Sequence, residues 1–169
     1  MSYKKILKST ICTLVVVTAI SVIVASFVFP ALQVCGSSME PTFKNDDILL
    51  SIKQEKFKRG DIVAFYYNNK VLIKRVIASS GDHVEIDRHG NVFVNSNLIE
   101  EPYITKKSLG ECNQSFPYQV PDNSYFVLGD ARENSNDSRN TVIGAVSGEN
   151  IIGKVIFRLW PLNNVGKIN

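Results

Sequence analysis

From Ile11 to Phe29 the chain carries no charged residue, and this stretch limits what everything after it can be. Nineteen apolar or small residues at about 1.5 Å each make a helix nearly as long as the ~30 Å hydrocarbon core of a bilayer. Val, Ile, Leu and Ala fill the run, and Pro30 closes its far end. Lys4, Lys5 and Lys8 precede it, and no basic residue follows closely. The positive-inside bias then predicts a cytoplasmic N-terminus over residues 1–10, a transmembrane anchor over 11–29 and an extracytoplasmic domain over 30–169. The reading is a single-pass plasma-membrane protein. A cleavable signal peptide is the competing reading. Its apolar core is ordinarily ~7–15 residues, however, and Ala25-Ser26-Phe27 is not a small-x-small cleavage site.

Beyond the anchor about 140 residues remain, enough for one domain with its own core. The net charge is +3, with Lys and Arg scattered along the chain. No basic run is interleaved with aromatics, so nucleic acid is not an expected partner. The mild positive charge suits a solvated surface near a membrane. Of the three cysteines, Cys12 lies in the apolar run and reads as a small hydrophobe. Cys35 and Cys112 could pair outside the cell, but spacing alone fixes no disulfide geometry. No CxxC or His/Cys cluster is present, so no metal and no cofactor is expected.

After Pro30 the pattern changes to short β-rich runs between turn residues: 47–52, 61–67, 71–77, 83–87, 92–94, 124–128, 142–146 and 151–159. Asn68-Asn69 reads as a tight hairpin turn. No long 3.6-residue period follows the anchor. Residues 98–121 are polar, broken by Pro102, Gly110, Pro117 and Pro121, and read as a variable loop or insertion. The fold class is mainly β, a sheet or barrel-like catalytic domain behind one N-terminal transmembrane helix.

A hydroxyl nucleophile is weak at neutral pH and needs a neighbour to take its proton. Ser38, in Gly36-Ser37-Ser38-Met39-Glu40-Pro41-Thr42-Phe43, is the candidate nucleophile. His83 and His89 flank a polar hairpin and read as exposed histidines. Lys74 lies within Val71-Leu72-Ile73-Lys74-Arg75-Val76-Ile77. By alternation it shares a face with Leu72 and Val76, while Arg75 shares the other with Ile73 and Ile77. A lysine in apolar surroundings loses hydration of its charged form, and its pKa falls until the neutral amine can act as a base. A strand lysine that snorkels to water is the alternative. The polar run Gly129 to Arg139 carries Asp130, Arg132, Ser135, Asp137 and Arg139, whose charges could bridge and fix its shape.

These stretches together resemble the bacterial type I signal peptidases, the serine–lysine enzymes that cut signal peptides from exported proteins. Ser37 to Phe43 is similar to that family's nucleophile box, Arg59-Gly60-Asp61-Ile62-Val63 to a second box, Lys74-Arg75-Val76-Ile77 with Gly81-Asp82 to the general-base box, and Gly129 to Arg139 to the last. The resemblance implies Ser38 as nucleophile, Lys74 as general base and the Ser38 N–H as oxyanion donor. It implies that Ser135 hydrogen-bonds the Lys74 amine. It implies ion pairs of Asp130 with Arg75 and of Asp137 with Arg139. Val34, Met39, Phe43, Leu72 and Ile73 match positions lining pockets for small residues, so that cutting follows Ala-x-Ala. Gly36 stands where some members carry a serine that completes the oxyanion hole. The implied partners are signal peptides of exported preproteins and the lipid bilayer, with Trp160 either at the interface or at a strand end. An alternative within the same fold is a pilus-linked protein that processes or chaperones a restricted set of pilin subunits. A self-cleaving repressor-type protease would need a soluble N-terminal half, which the apolar run argues against.

Overall fold

The computed structural model describes residues 3–168. Within these, the side chains of Lys4 and of residues 25–28 lie outside the described set, and with them the cleavage-site reading at Ala25-Ser26-Phe27. The apolar run forms helix α1 (Tyr3–Val28), of 26 residues. Its segment Lys5–Val24 is long and apolar enough to cross a membrane. The hydroxyls on this helix bond to its own backbone: Thr10, Thr13, Thr18 and Ser21 donate to the carbonyls of Ile6, Ser9, Leu14 and Val17 at 2.8–3.0 Å. The hydroxyls therefore need no water in an apolar medium.

The chain after Pro30 is antiparallel β-structure. Its strands are β1 (Ala31–Gln33), β2 (Ile48–Ile52), β3 (Ile62–Tyr67), β4 (Lys70–Ser79), β5 (His83–Ile86), β6 (Val92–Val94), β7 (Asn97–Leu98), β8 (Tyr118–Gln119), β9 (Ser124–Leu128), β10 (Val146–Ser147), β11 (Ile151–Trp160) and β12 (Gly166–Lys167). The larger sheet runs β1-β2-β11-β3-β4-β9-β10, with β12 paired to β11. The smaller runs β7-β6-β5-β8. β3 and β4 are joined by Asn68 and Asn69 at φ 45° and 60°. Both angles lie in the left-handed region that Asn tolerates and that a two-residue hairpin matching strand twist requires.

Apolar alternation divides the core. Ile62 and Ala64 of β3 pack with Val34, Met39, Phe43, Leu49, Ile73 and Val155. The intervening Val63 and Phe65 pack with Val76, Tyr125 and Val127. β3 is thus buried on both faces. A third cluster, with Ile77, Val84, Val94, Phe126 and Leu128, joins the small sheet to β4 and β9.

One sequence expectation changes. The run 142–146 is not a strand. Ile143 and Gly144 both donate to the Asn140 carbonyl, and Gly144 sits at φ 56°, so the chain turns there and only Val146-Ser147 pairs with β9. Residues 98–121, read as a variable loop or insertion, carry no helix or strand between 99 and 117, but part of the segment is packed in the fold. Ile99, Glu101 and Val120 are buried, and the run ends in β8 against β5. Cys35 and Cys112 are both free thiols.

Phe126 is fully buried and stacks edge-on to Phe116 and tilted on Tyr118, with centroids 6.4 and 5.5 Å apart. Phe126→Ala opens a cavity between the two sheets, and urea unfolding of the full chain in detergent should show a loss of about 3–5 kcal/mol.

Candidate active site

Residues 36–43 form a turn-rich loop between β1 and β2. The loop closes on itself through Glu40 N–H to Ser37 O and Phe43 N–H to Met39 O, at 3.0 and 2.9 Å. Met39 and Phe43 hold it down, being 2% and 0% exposed. Ser38 is left half-buried at the rim. Its main-chain N–H has no acceptor among the described residues, while its carbonyl accepts from Ala131 N–H at 3.1 Å. Gly36 sits at φ 93°, where an L side chain is strained. A serine at that position would therefore not keep this loop conformation without cost.

Lys74 lies in the middle of β4, opposite Val63 of β3, and is 2% exposed. Its Nζ is 2.7 Å from Ser38 Oγ and 3.1 Å from the Ile73 carbonyl, to which it donates. Burial lowers the Lys74 pKa from 10.5 to about 8; Asp137 and Asp130 pull it back up, and Arg139 pushes it further down. The snorkelling alternative is excluded by this placement. Near pH 8 the amine is substantially neutral, and its lone pair can take the proton of the hydroxyl it touches.

Three forked ion pairs surround this contact. Arg75 Nε and Nη2 donate to the two oxygens of Asp130 at 2.9 and 2.6 Å. Arg139 does the same to Asp137, at 2.8 Å on both arms. Arg132 clasps Glu101 at 3.0 and 2.5 Å. All six side chains are at most 6% exposed. The first two pairs join the partners named from the sequence.

The third pair was not legible there, nor was Thr42, whose hydroxyl donates to Asp130 at 2.5 Å. With Asp130 and Asp137 both committed, Arg132 was an arginine without an acid. Glu101, beside Tyr103 in the proline-broken segment, was the available clue. Arg158 also reaches the nucleophile loop, lying 3.2 Å from Asp47 and donating to the Thr42 carbonyl.

Two residues sit otherwise than expected. Ser135 does not bond Lys74; its Oγ is buried with no partner among the described residues. It is crowded against Gly129, where a Cβ would meet Ser135 Oγ at 2.1 Å and the Ser38 carbonyl at 2.5 Å. Leu72 does not join Val34, Met39, Phe43 and Ile73. It lies against the cluster of Phe65 and Val76 on the other face of β4, because adjacent strand residues point to opposite faces. His83 and His89 are exposed and remote from these contacts in the hairpin of the small sheet.

A family model described as "Signal peptidase, peptidase S26" matches residues 7–160. The chain belongs to the S26 signal peptidase family. Signal peptidase I S of Bacillus subtilis is 32% identical over 180 residues, covering 99% of this chain and 97% of the relative. Probable signal peptidase I-2 of Synechocystis is 35% identical over 166 residues, covering 91% and 73%. A solved signal peptidase I from Enterococcus faecalis is 31% identical, covering 60% of this chain and 98% of its own, at a TM-score of 0.48. Membership of S26 makes the chain a peptidase, with an N-terminal apolar helix that fits membrane anchoring.

The lowered lysine pKa has a consequence for stability. Between about 8 and 10.5 the unfolded chain holds a proton that the folded chain has released, so stability rises with pH across that window. Below about 8 both states hold it and the burial cost is fully present. At about 1.4 kcal/mol per unit the window is worth on the order of 3 kcal/mol. Relative to Lys74→Met, the native chain should therefore gain that much between about pH 7 and about pH 11 in urea titrations. A difference that does not vary with pH would contradict a lowered lysine.

Proposed function

We propose that this S26 enzyme removes signal peptides from exported preproteins, with Ser38 as nucleophile and Lys74 as general base. The observation that carries the reading is the 2.7 Å contact between Lys74 Nζ and Ser38 Oγ, made by a lysine that burial has brought near neutrality. The Ser38 proton passes to the amine as Oγ attacks the scissile carbonyl. The oxyanion accepts the unused Ser38 N–H. Lys74, now an ammonium, gives its proton to the departing amine of the mature chain, leaving an acyl-enzyme. Water, deprotonated by the same amine, then releases the signal peptide.

Substrate placement follows from the sheet. β9 pairs with β4 only from Arg75 onward, so Lys70 to Lys74 is hydrogen-bonded on the β3 side alone. An extended segment preceding the cut can add to this free edge as a strand. Val34, Met39, Phe43 and Ile73 lie beneath the nucleophile loop, and Leu72 on the other face of β4 borders the same edge. A site walled by side chains this large selects against bulk, which accounts for small residues one and three places before the cut.

Lys4, Lys5 and Lys8 orient residues 1–10 to the cytoplasm, 11–29 across the plasma membrane and 30–169 outside. Ile48 and Trp160, neighbours across β2 and β11, are exposed together with Leu159 and Leu162. Ile48 and Trp160 lie on the two strands that follow β1 in the larger sheet, β1 being the strand that succeeds the anchor, and we assign these four residues to the lipid surface. Tethering there keeps the enzyme at high effective concentration near its substrates. The pilin-directed alternative has no observation in its favour, since the relatives named above are signal peptidases.

Ser38→Ala and Lys74→Met should each reduce cleavage of an Ala-x-Ala preprotein by at least about 10³-fold, followed by gel shift in detergent. The native rate should rise through an apparent pKa of about 8. Normal cleavage by Lys74→Met would refute the dyad.

A further inference from the structure

The segment Glu101-Pro102-Tyr103 lies in the stretch read as a variable loop, yet it touches both halves of the site. On one side Glu101 clasps the Arg132 guanidinium, and Arg132 Nε donates to the Gly129 carbonyl at 3.0 Å. The Gly129 N–H in turn donates to Asp137 at 3.0 Å. Two residues on, Ala131 N–H holds the Ser38 carbonyl. On the other side the Tyr103 ring lies 3.9 Å under the guanidinium of Arg75, the residue next to Lys74. The Tyr103 hydroxyl donates to Glu101 at 2.9 Å, closing the circuit.

We infer that Glu101, Tyr103 and Arg132 are positioning residues that fix the Ser38 backbone against the Lys74 strand. The Glu101 and Arg132 side chains are almost wholly buried, and each of the three acts through another group. The Glu101–Arg132 fork sets where the Gly129 peptide lies, and the Gly129–Ala131 segment is packed directly on Ser38. Without it, Gly129 keeps the Asp137 bond at its N–H but loses the one at its carbonyl, and the peptide can tilt. A shift of about 1 Å between nucleophile and base is enough to cost on the order of 10²-fold in turnover. The fork is planar and uses two donors, with a third on Gly129 O. A lysine offers the same charge without that geometry. Burial and the Glu101 carboxylate both push the Tyr103 phenol above its ordinary range, so it stays a donor through the range in which Lys74 titrates.

A residue that only stabilised the fold would, on substitution, lower the amount of folded enzyme and leave the turnover of the remainder intact. A positioning residue lowers kcat in folded enzyme while KM changes little, because the apolar residues under Ser38 do not include these three. It also loosens the amide of Ala131.

This inference rests on the signal-peptidase reading, and its test separates the two. Full-length native enzyme, Glu101→Gln, Arg132→Lys and Tyr103→Phe are compared in detergent for kcat and KM on an Ala-x-Ala preprotein, for thermal unfolding, and for hydrogen exchange at the Ala131 amide. Glu101→Gln and Arg132→Lys should lose about 10–100-fold in kcat with KM within about threefold. Both should lose exchange protection at Ala131. Their double variant should be no worse than either alone, since both act through one contact. Tyr103→Phe keeps the ion pair and the ring, so it should fold normally and lose about 3–10-fold in kcat. Wild-type turnover and unchanged Ala131 protection in folded variants would overturn the inference, as would kcat unchanged in Tyr103→Phe should the other two fail to fold. Absence of cleavage by the native enzyme would instead remove the functional reading beneath it, while the exchange result would still report on the clamp.

Discussion

Lys74 Nζ meets Ser38 Oγ at 2.7 Å only because three distant pieces of chain converge. The hydroxyl comes from a loop between the first two strands. The amine comes from the middle of β4, an interior strand of the larger sheet. The walls come from the run after β9. Burial of Lys74 is not incidental to this arrangement. An ammonium on the same strand in water would keep its proton near 10.5, and the serine beside it would be inert. The fold's density around the lysine, with Val63, Ile73 and Val76 all at most 8% exposed, is what converts a surface side chain into a base.

That requirement explains the arginines. Asp130 and Asp137 lie close enough to Lys74 to raise its pKa. Left alone, two buried carboxylates would hold the proton on the amine and cancel the effect of burial. Each is matched by a guanidinium in a forked pair, and Arg139 pushes the Lys74 pKa down against them, though by less than either carboxylate raises it, so burial carries most of the lowering. Buried pairs seldom add much net stability, because desolvation consumes the attraction. Here they fix the Gly129–Arg139 run in one conformation, and Arg139 adds to the lowering of the Lys74 pKa that burial begins. The unpartnered Ser135 hydroxyl lies within the same run. It is a buried polar group with no partner among the described residues, which is uncommon in folded proteins.

The sequence made some of this readable and concealed the rest for physical reasons. Alternation over Val71–Ile77 marked Lys74 as a strand lysine among apolar neighbours, and the uncharged run marked the helix. Both are short-range signals carried by adjacent residues. Asn68-Asn69 marked the hairpin for the same reason. Val142–Val146 misled because four apolar residues in five look extended, whereas the Asn140 carbonyl captures the amides of Ile143 and Gly144 and bends the chain. Glu101 and Arg132 meet across 31 positions, and no local period announces such a contact. Leu72 was grouped with Ile73 by resemblance, although alternation had already put them on opposite faces.

The protonation state of the Lys74 amine decides whether the serine can be activated, and it can be read without any substrate. In full-length Ser38→Ala enzyme labelled at the lysine side chains, the Lys74 Nζ resonance should titrate with a midpoint near 8, well apart from the exposed lysines. A midpoint at the ordinary lysine value near 10.5 would mean that the amine stays charged beside the serine, and the proposed proton transfer would have no acceptor.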